Sequence, residues 1–501
     1  LFRSMTTNPY RMSRMTHMQT LAEAPDTLYL RIADAMARQI RTGTLSRGER
    51  IPSVRNLAHQ HGVSQSTVVQ AYRTLEDARL IEARPRSGYF VAARPPQLPE
   101  PDTSRPPKRS VSVGISAMAS KMASVAHHPD YVSFGAACPD AALFAQERVR
   151  RAVSRATQRH RATLCQYPFG PGDESLRKAI ARHALRMGCH VDANDVIVTS
   201  SCLESITLCL RTVTKPGDVV ALESPTYYGF LEILESLGLR ALEIPTHPRT
   251  GLSLDALQLA LDTQPVKAIL VVPTLSNPLG CSMPPAERKR LAQMVARHQV
   301  PVIEDVLYND LCEDDDRRRA VQSFENGGQV MLCGSFSKTI APGLRLGWIA
   351  APGRNERLQH LQRMKAATSG SETVMLQRAL ADLLTQPGIE AGYRQLRAVV
   401  ASRMDEARAL ISRHFPKGTR MTSPSGGYIL WLELPGEVDT VELFHTCLEE
   451  HICIAPGSLF STNDRFKRCM RLGLGGKWGD AERRALARVG KLAGELMAAS
   501  R

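Results

Sequence analysis

The sequence predicts an α/β protein in more than one domain, a small helical front end closed by a β-hairpin followed by a large α/β body. Three observations predict it. At 501 residues the chain exceeds what a single hydrophobic core sustains, so two or three domains are expected. A proline-rich stretch from residue 94 to about 115 interrupts the chain. Downstream of it, apolar runs such as Val196-Ile197-Val198 and Val330-Met331-Leu332-Cys333 each end in a short polar loop, as strands do.

Composition narrows the class. The chain is 43% hydrophobic and 23% charged, which suits a soluble globular protein. No apolar run approaches the ~18 residues a membrane span requires. The first 18 residues lack the apolar core of a secretory signal, and residues 1–22 read as a disordered extension. The 11 cysteines are an odd number without C-x-x-C pairs, so reduced thiols in a cytoplasmic protein are expected, with neither disulfides nor a metal. The net charge of +15 is concentrated at the front. Residues 1–110 hold 17 Lys+Arg against 9 Asp+Glu, where a nucleic-acid contact would place them.

The elements of the front end follow in order. Leu28, Ile32, Ala35, Met36 and Ile40 recur at helical spacing, and Gly43 stops that helix. Ser53 caps a second helix that ends at Gly62. Val63-Ser64 opens a third, with Val68, Ala71, Tyr72 and Leu75 as its buried stripe. Residues 65–67, 69, 70 and 73 face outward. Ile81–Arg84 and Gly88–Val91 flank Pro85-Arg86-Ser87 as a hairpin wing. A short helix, a glycine turn and a helix rich in Gln, Ser and Thr at its start fit helix-turn-helix geometry. The plainer reading is a three-helix scaffold with a solvated polar face. Against it stands the wording of Leu45 through Ala58, of Gly62 through Leu75 and of the Pro85–Gly88 wing, which closely resembles the GntR family of winged helix-turn-helix regulators.

That resemblance implies double-stranded operator DNA as a partner for residues 23–93, with Ser53, Arg55, Gln65, Ser66, Thr67, Gln70, Arg84 and Arg86 as contact candidates. Many relatives carry arginines where this chain has Gln65 and Gln70. Glutamine amides suit adenine N6/N7 better than guanine O6/N7, so a less G-centred operator is expected. Arg55, Arg84 and Arg86 remain candidates for phosphate or groove contacts.

Residues 94–130 read as a linker, because proline keeps such a stretch extended and it has no periodic apolar face. The alternative for part of it is an ordered strap across a domain surface.

In the body the most informative residue is Lys338. Val330–Cys333 run into Gly334-Ser335-Phe336-Ser337-Lys338, with Arg345 seven residues on. A cofactor aldehyde needs such a lysine to form a Schiff base, and its phosphate needs nearby hydroxyls and a guanidinium. Asn277-Pro278-Leu279-Gly280 lies upstream, and Asp305-Val306-Leu307-Tyr308 follows Val300–Ile303. In this order the motifs resemble the pyridoxal-phosphate (PLP) site of fold-type I aminotransferases, over roughly residues 131–498. That fold is a mixed, mostly parallel sheet with helices on both faces and a smaller α+β C-terminal domain. A GntR-type reader joined to such a body resembles the MocR subgroup as a whole.

The resemblance implies roles residue by residue. Lys338 bonds the cofactor, and Asp305 pairs with the ring nitrogen and keeps it protonated. Asn277 and Tyr308 bind the phenolic oxygen. Tyr227 stacks on the ring, with Tyr228 as its rival. Ser201 and Cys202 at a helix start, with Ser335 and Arg345, hold the phosphate. Relatives usually have glycine at Ser201, so a narrower approach to the phosphate is expected there. Tyr167 reaches the phosphate of a neighbouring subunit, which implies a homodimer. Arg471 takes a substrate carboxylate, with Arg468 as the alternative. Two functions fit. One is a PLP-dependent transcription regulator that senses PLP and an amino compound. The other is a working aminotransferase that passes an amino group between an amino acid and a 2-oxo acid.

Overall fold

Serine caps and one apolar stripe per helix build the front unit. In this computed structural model the described residues are 28–92 apart from 43, 47, 85 and 86; 98–105; 109–114; and 117–499 apart from 127, 326 and 354. The expected extension over residues 1–22 lies outside them, as does Arg86. The chain divides into two compact units, residues 1–95 and 96–501.

Helix α1 (Leu28–Arg41) buries Ile32, Ala33, Met36 and Ala37. Helix α2 (Val54–His61) starts at Ser53, whose hydroxyl accepts the Asn56 N–H at 3.2 Å, and it stops at Gly62 in the left-handed region at φ 63°. Helix α3 (Gln65–Asp77) starts at Ser64, which accepts the Thr67 N–H at 3.2 Å. Such caps contribute about 1 kcal/mol each. The α3 stripe of Val68, Ala71, Tyr72 and Leu75 is buried, and the Tyr72 hydroxyl donates to the Pro52 carbonyl at 2.5 Å. Strands β1 (Ile81–Arg84) and β2 (Gly88–Val91) pair antiparallel as the wing. Residues 49–51 add a third rung, through Ile51 N–H to Tyr89 O at 3.0 Å and Val91 N–H to Glu49 O at 2.9 Å.

The body begins earlier than the sequence suggests. Of the stretch read as a linker, residues 98–105 lie along unit 2. The Pro99 carbonyl accepts the Met421 N–H at 2.9 Å, and the Ser104 hydroxyl donates to Ser224 O at 3.1 Å. Asp102 pairs with Arg420 at 2.5 Å and Glu100 with Arg249. Strand β3 (Val111–Ser112) then joins the edge of the main sheet, and helix α4 (Ala117–Ala126) buries Ala119, Met122 and Ala126 in the core. Proline lacks an N–H but keeps its carbonyl, so an extended proline-rich segment can dock through acceptors and side chains. Met118, Met122 and Val125 do stand at helical spacing in the sequence.

Continuing along the chain, β4 (Val132–Ser133) precedes α5 (Gln146–Arg159) and α6 (Glu174–Ala184). Then strands and helices alternate: β5 (Val196–Thr199), α7 (Cys202–Val213), β6 (Val219–Ser224), α8 (Tyr228–Ser236) and β7 (Arg240–His247). They continue with β8 (Gly251–Leu252), α9 (Leu254–Thr263), β9 (Val266–Val271), α10 (Pro285–His298) and β10 (Val302–Asp305). After α11 (Asp315–Arg318) come β11 (Val330–Ser335) and β12 (Gly347–Ala350). The main sheet runs β3-β7-β6-β9-β10-β11-β12-β5, with β8 paired to β7. Its central pairs are parallel, and β12 and β3 run antiparallel to their neighbours. Inner strands such as β6 and β11 are buried on both faces, hence their apolar runs.

Helices α12 (Asn355–Thr368) and α13 (Val374–Thr385) lead to the long α14 (Ile389–His414). A second sheet follows, built from β13 (Arg420–Met421), β14 (Ile429–Glu433), β16 (Ala455–Pro456) and β17 (Cys469–Gly473) in the order β13-β14-β17-β16. Helices α15 (Thr440–Glu449) and α16 (Asp480–Ala499) accompany it, giving the smaller α+β part. Two-residue β15 (Ile452–Cys453) pairs with β4. All eleven cysteines are free, and no described helix is long and apolar enough to cross a membrane.

Candidate functional site

In open α/β sheets a ligand crevice forms where the parallel strands end. Here the carboxyl ends of β5, β6, β9, β10 and β11 deliver, respectively, Ser201, Tyr227, Asn277, Asp305 and Lys338 to one cavity of ≈ 260 Å³. Each strand exits into a loop because its apolar run stops, so the polar residue just past the run lands at the rim of the crevice.

Past β11 the loop is locked by hydroxyls. Ser335 Oγ donates to Leu346 O at 3.0 Å and accepts the Ser337 N–H at 3.1 Å. That lock aims Lys338 into the cavity, where its Nζ donates to the Ala137 carbonyl at 2.6 Å. Burial holds the Lys338 ammonium below the usual lysine range, which enlarges the neutral, nucleophilic fraction. Arg345 takes a left-handed backbone at φ 49°, a conformation that costs a non-glycine residue about 1 kcal/mol or more, and it lines the same cavity.

Asp305 ends β10 with its carboxylate buried. It accepts the Leu307 N–H at 2.8 Å and the Cys202 thiol at 3.4 Å, and burial pushes its pKa up to about 6. Ser201 caps α7, its hydroxyl accepting the Glu204 N–H at 3.1 Å. Its φ of −170° is extended backbone that any residue adopts, so serine stands here without strain. The first N–H groups of α7 have no partner inside the helix and suit an anion. Glu204 in that first turn is met by the buried Lys365 at 3.2 Å, an ammonium it shares with Glu372. Close by, a Cβ on Gly347 would fall 2.3 Å from the Ser201 carbonyl carbon, so only glycine lets β12 pass under the cradle.

Arg471 comes from β17 of the smaller sheet and is almost wholly buried. Its guanidinium donates to Asn277 Oδ1 at 3.2 Å and to the Gly135 carbonyl, and lies 5.1 Å from the Phe460 ring centre. Its Nε has no hydrogen-bond partner among the described residues. Arg468, the sequence alternative, sits at the surface and pairs with Glu433 at 2.9 Å. Tyr227 and Tyr228 both border the cavity, ring centres 4.8 Å apart. Tyr228 shares the Phe460 ring with Arg471, whereas Tyr227 packs on Phe230. Tyr308 is buried, and burial raises its phenol.

Tyr167 is not brought to the cavity of its own chain. It is 87% exposed beside Phe169 at 85%. Side chains that the sequence reading missed also line the cavity: Met122, Ala123 and Ala126 of α4, Cys138 and Ser337. The α4 residues were hidden by the linker reading, although their apolar spacing was a usable signal.

The donor set has two chemically distinct ends. One gathers a guanidinium, hydroxyls and a helix start, which fits a phosphate. The other presents a buried carboxylate, which fits a protonated ring nitrogen. The lysine stands in the same space, so the residues present fit a pyridoxal phosphate.

On the front unit, Arg55, Gln65 and Gln70 are exposed. Ser66 and Thr67 point their hydroxyls at Ser64 Oγ, at 2.7 and 2.8 Å, closing a ring at the start of α3. Ser53 is occupied as the α2 cap. Arg84 pairs with Glu82 at 2.7 Å and covers Phe90. An exposed pair of this kind is worth little, so the guanidinium is cheaply released to a phosphate.

The model of the class I and II aminotransferase family matches residues 135–485, and that of the gntR family of bacterial regulatory proteins matches residues 28–91. The "Uncharacterized HTH-type transcriptional regulator YjiR" of Escherichia coli (strain K12) is 38% identical over 466 residues, covering 93% of this chain and 98% of the relative. The "Probable rhizopine catabolism regulatory protein MocR" of Rhizobium meliloti is 28% identical over 397 residues, 78% of each chain. Among solved structures, LysN, an alpha-aminoadipate aminotransferase from Thermus thermophilus complexed with N-(5'-phosphopyridoxyl)-L-leucine, is similar with a TM-score of 0.69 and 26% identity. The likeness covers 77% of this chain and 100% of that one.

Proposed function

Since the chain belongs to the MocR-type subgroup of GntR regulators, a DNA-binding transcription regulator with a class I and II aminotransferase body, we propose that the body is its sensor for PLP and an amino compound. The observation that carries this reading is the meeting of Lys338 and Arg345, Asp305, and Arg471, from three separate stretches of chain, in one cavity. The phosphopyridoxyl ligand of the LysN structure supports PLP as the cofactor.

When bound, the cofactor supplies an aldehyde carbon open to amines and a ring that withdraws electrons. The chain's own residues do the rest. Asp305 holds the proton on the ring nitrogen, while Asn277 and Tyr308 bind the phenolic oxygen and Tyr227 covers the ring. Arg345, Ser335 and the start of α7 at Ser201 and Cys202 hold the phosphate. Lys338, its ammonium held below the usual lysine range by burial, brings its Nζ to the cofactor and can carry a proton there. Arg471 orients the ligand by its carboxylate. The exposed Tyr167 and Phe169 are suited to a partner subunit, and we place Tyr167 at the phosphate of that partner in a homodimer. The reader grips operator phosphates through Arg55 and the wing arginines and reads bases through Gln65 and Gln70, in the cytoplasm where that DNA lies.

The test compares operator affinity of the full chain without cofactor, with PLP, and with PLP plus amino acids. Different affinities are expected, with DNA changing ligand affinity by the same factor. Equal affinity in all three states would end the sensing reading. A second reading, amino transfer between an amino acid and a 2-oxo acid, is favoured by the complete set of Lys338, Asp305 and Arg471. Conversion of a 2-oxo acid to its amino acid by the PLP-loaded protein supplied with a donor amino acid, with the donor's 2-oxo acid formed in equal amount, would support it.

A further inference from the structure

One buried carboxylate takes no part in holding the cofactor, yet it joins distant stretches of chain beside the site. Glu243 of β7 is 1% exposed. Its described partners are all neutral donors: the Ser224 hydroxyl at 2.7 Å, the Ser461 hydroxyl at 2.8 Å, and the Thr462 N–H and hydroxyl, both at 2.6 Å. A buried carboxylate without a cation is costly unless such donors surround it, and bonds to a charged acceptor are roughly twice as strong as neutral ones. Glu243 therefore fixes Ser461 and Thr462, which belong to the smaller α+β part, to the carboxyl end of β6 in the main sheet.

What Glu243 fixes lies against the carboxylate seat. Phe460, next to Ser461, is fully buried and carries the Arg471 guanidinium 5.1 Å from its ring centre. Its carbonyl accepts the Thr226 N–H at 2.9 Å, and its ring meets Tyr228 edge-on. The same network reaches the strap of residues 98–105. The Ser224 carbonyl accepts the Ser104 hydroxyl at 3.1 Å, and Arg465 of the Ser461 loop donates to the Arg105 carbonyl. A continuous path thus runs through Arg471, Phe460, Ser461, Glu243, Ser224 and Ser104, all within one chain.

Resting on the reading of the body as a sensor of PLP and an amino compound, we propose that Glu243 is a positioning residue that ties the carboxylate seat at Arg471 to the strap at Ser104. A ligand carboxylate draws on the Arg471 guanidinium, and the Phe460 ring against it is one residue from Ser461. Close packing leaves that loop no room to move alone, so its shift passes to Glu243 and from there to Ser224 and Ser104. The carboxylate, rather than the amine, is the part of the ligand that the strap reports. The strap is the segment that follows the reader in the chain.

The experiment titrates the PLP-loaded full chain with L-alanine and L-phenylalanine, and with ethylamine and 2-phenylethylamine, their counterparts without the carboxylate. Cofactor absorbance reports binding, and operator affinity is then measured with and without each ligand. Wild type should prefer each amino acid to its amine. Glu243→Gln keeps the volume but turns an amide NH2 toward the donors, and should cut that preference by about tenfold while PLP affinity changes far less. Thr462→Val removes one donor at nearly the same volume. It should cut the preference by a smaller factor, and it decides the matter where Glu243→Gln fails to fold. Ser104→Ala should keep the carboxylate preference and lose the amino acid's effect on operator affinity. Equal losses for amino acid and amine, as a merely structural residue gives, overturn the proposal while leaving amino-acid sensing intact. So does a preference unmoved in both variants, or an operator response undiminished in Ser104→Ala. No absorbance change with any of the four ligands overturns the sensing reading, and this proposal with it.

Discussion

Asp305 ties the cofactor site to the stability of the fold, and the tie can be measured. Burial raises its carboxyl to about 6, with Lys338 and the Leu307 N–H offsetting only part of the effect. Without cofactor, the folded protein therefore holds the Asp305 proton more tightly than the unfolded chain does. The sign follows: the folded state is not penalised below the ordinary value of 3.8, and it loses stability as pH rises from there through about 6. A shift of about two units amounts to about 3 kcal/mol at neutral pH. Asp305→Asn keeps the acceptor for Leu307 at nearly the same volume and cannot ionise. The cofactor-free variant should thus be more stable than wild type above pH 7 and equal to it near pH 4. For a unit of about 400 residues the gain corresponds to about 3–4 °C in Tm. PLP affinity must move the other way, because an amide is no counter-charge for a protonated ring nitrogen. Thermal melts of both cofactor-free proteins from pH 4 to 8, then PLP titrations, provide the assay. A variant less stable than wild type at pH 8, or an advantage undiminished at pH 4, would refute the reasoning.

Lys338→Ala should abolish the absorbance near the visible edge that PLP gives the wild type, and a variant with the wild-type spectrum would remove the lysine from its role. Arg471→Ala should weaken carboxylate ligands by about 2–5 kcal/mol, the usual loss on truncating one partner of a buried charge pair, while PLP affinity changes far less; isothermal titration reads both. Operator binding should fall with salt at a log–log slope of about −0.9 per phosphate neutralised, and Arg55→Ala should flatten that slope by about one phosphate in salt titrations. Gln65 or Gln70 substitutions should instead change sequence preference in competition binding. Tyr167→Ala should lower PLP affinity, and in a mixture with Lys338→Ala subunits the Tyr167 defect should be complemented in heterodimers.

The front unit was almost wholly legible. Ser53, Ser64 and Gly62 act where local chemistry says they must, and the stripe Val68, Ala71, Tyr72, Leu75 is buried as spaced. Caps and periodicity are short-range, so sequence carries them. The body strands were legible by their apolar runs, and the residues just past those runs became the cavity rim. Residues 98–105 misled, because prolines and few apolar residues look alike whether the segment is free or docked. What docks it is the Met421 N–H, Ser224 O and Arg420, more than a hundred residues away in sequence.

By itself the sequence determined which residue types were available: a lysine after a strand, a carboxylate after another, an arginine in a late strand, a capped helix rich in glutamines. Their neighbours were decided only by the tertiary structure. The buried seat of Arg471, the burial that raises Asp305 and lowers Lys338, and α4 as a wall of the cavity all follow from which surfaces come together. The reason is physical. Caps and periodicity act within a few residues along the chain, whereas desolvation and charge pairing depend on distance in space, which folding alone sets.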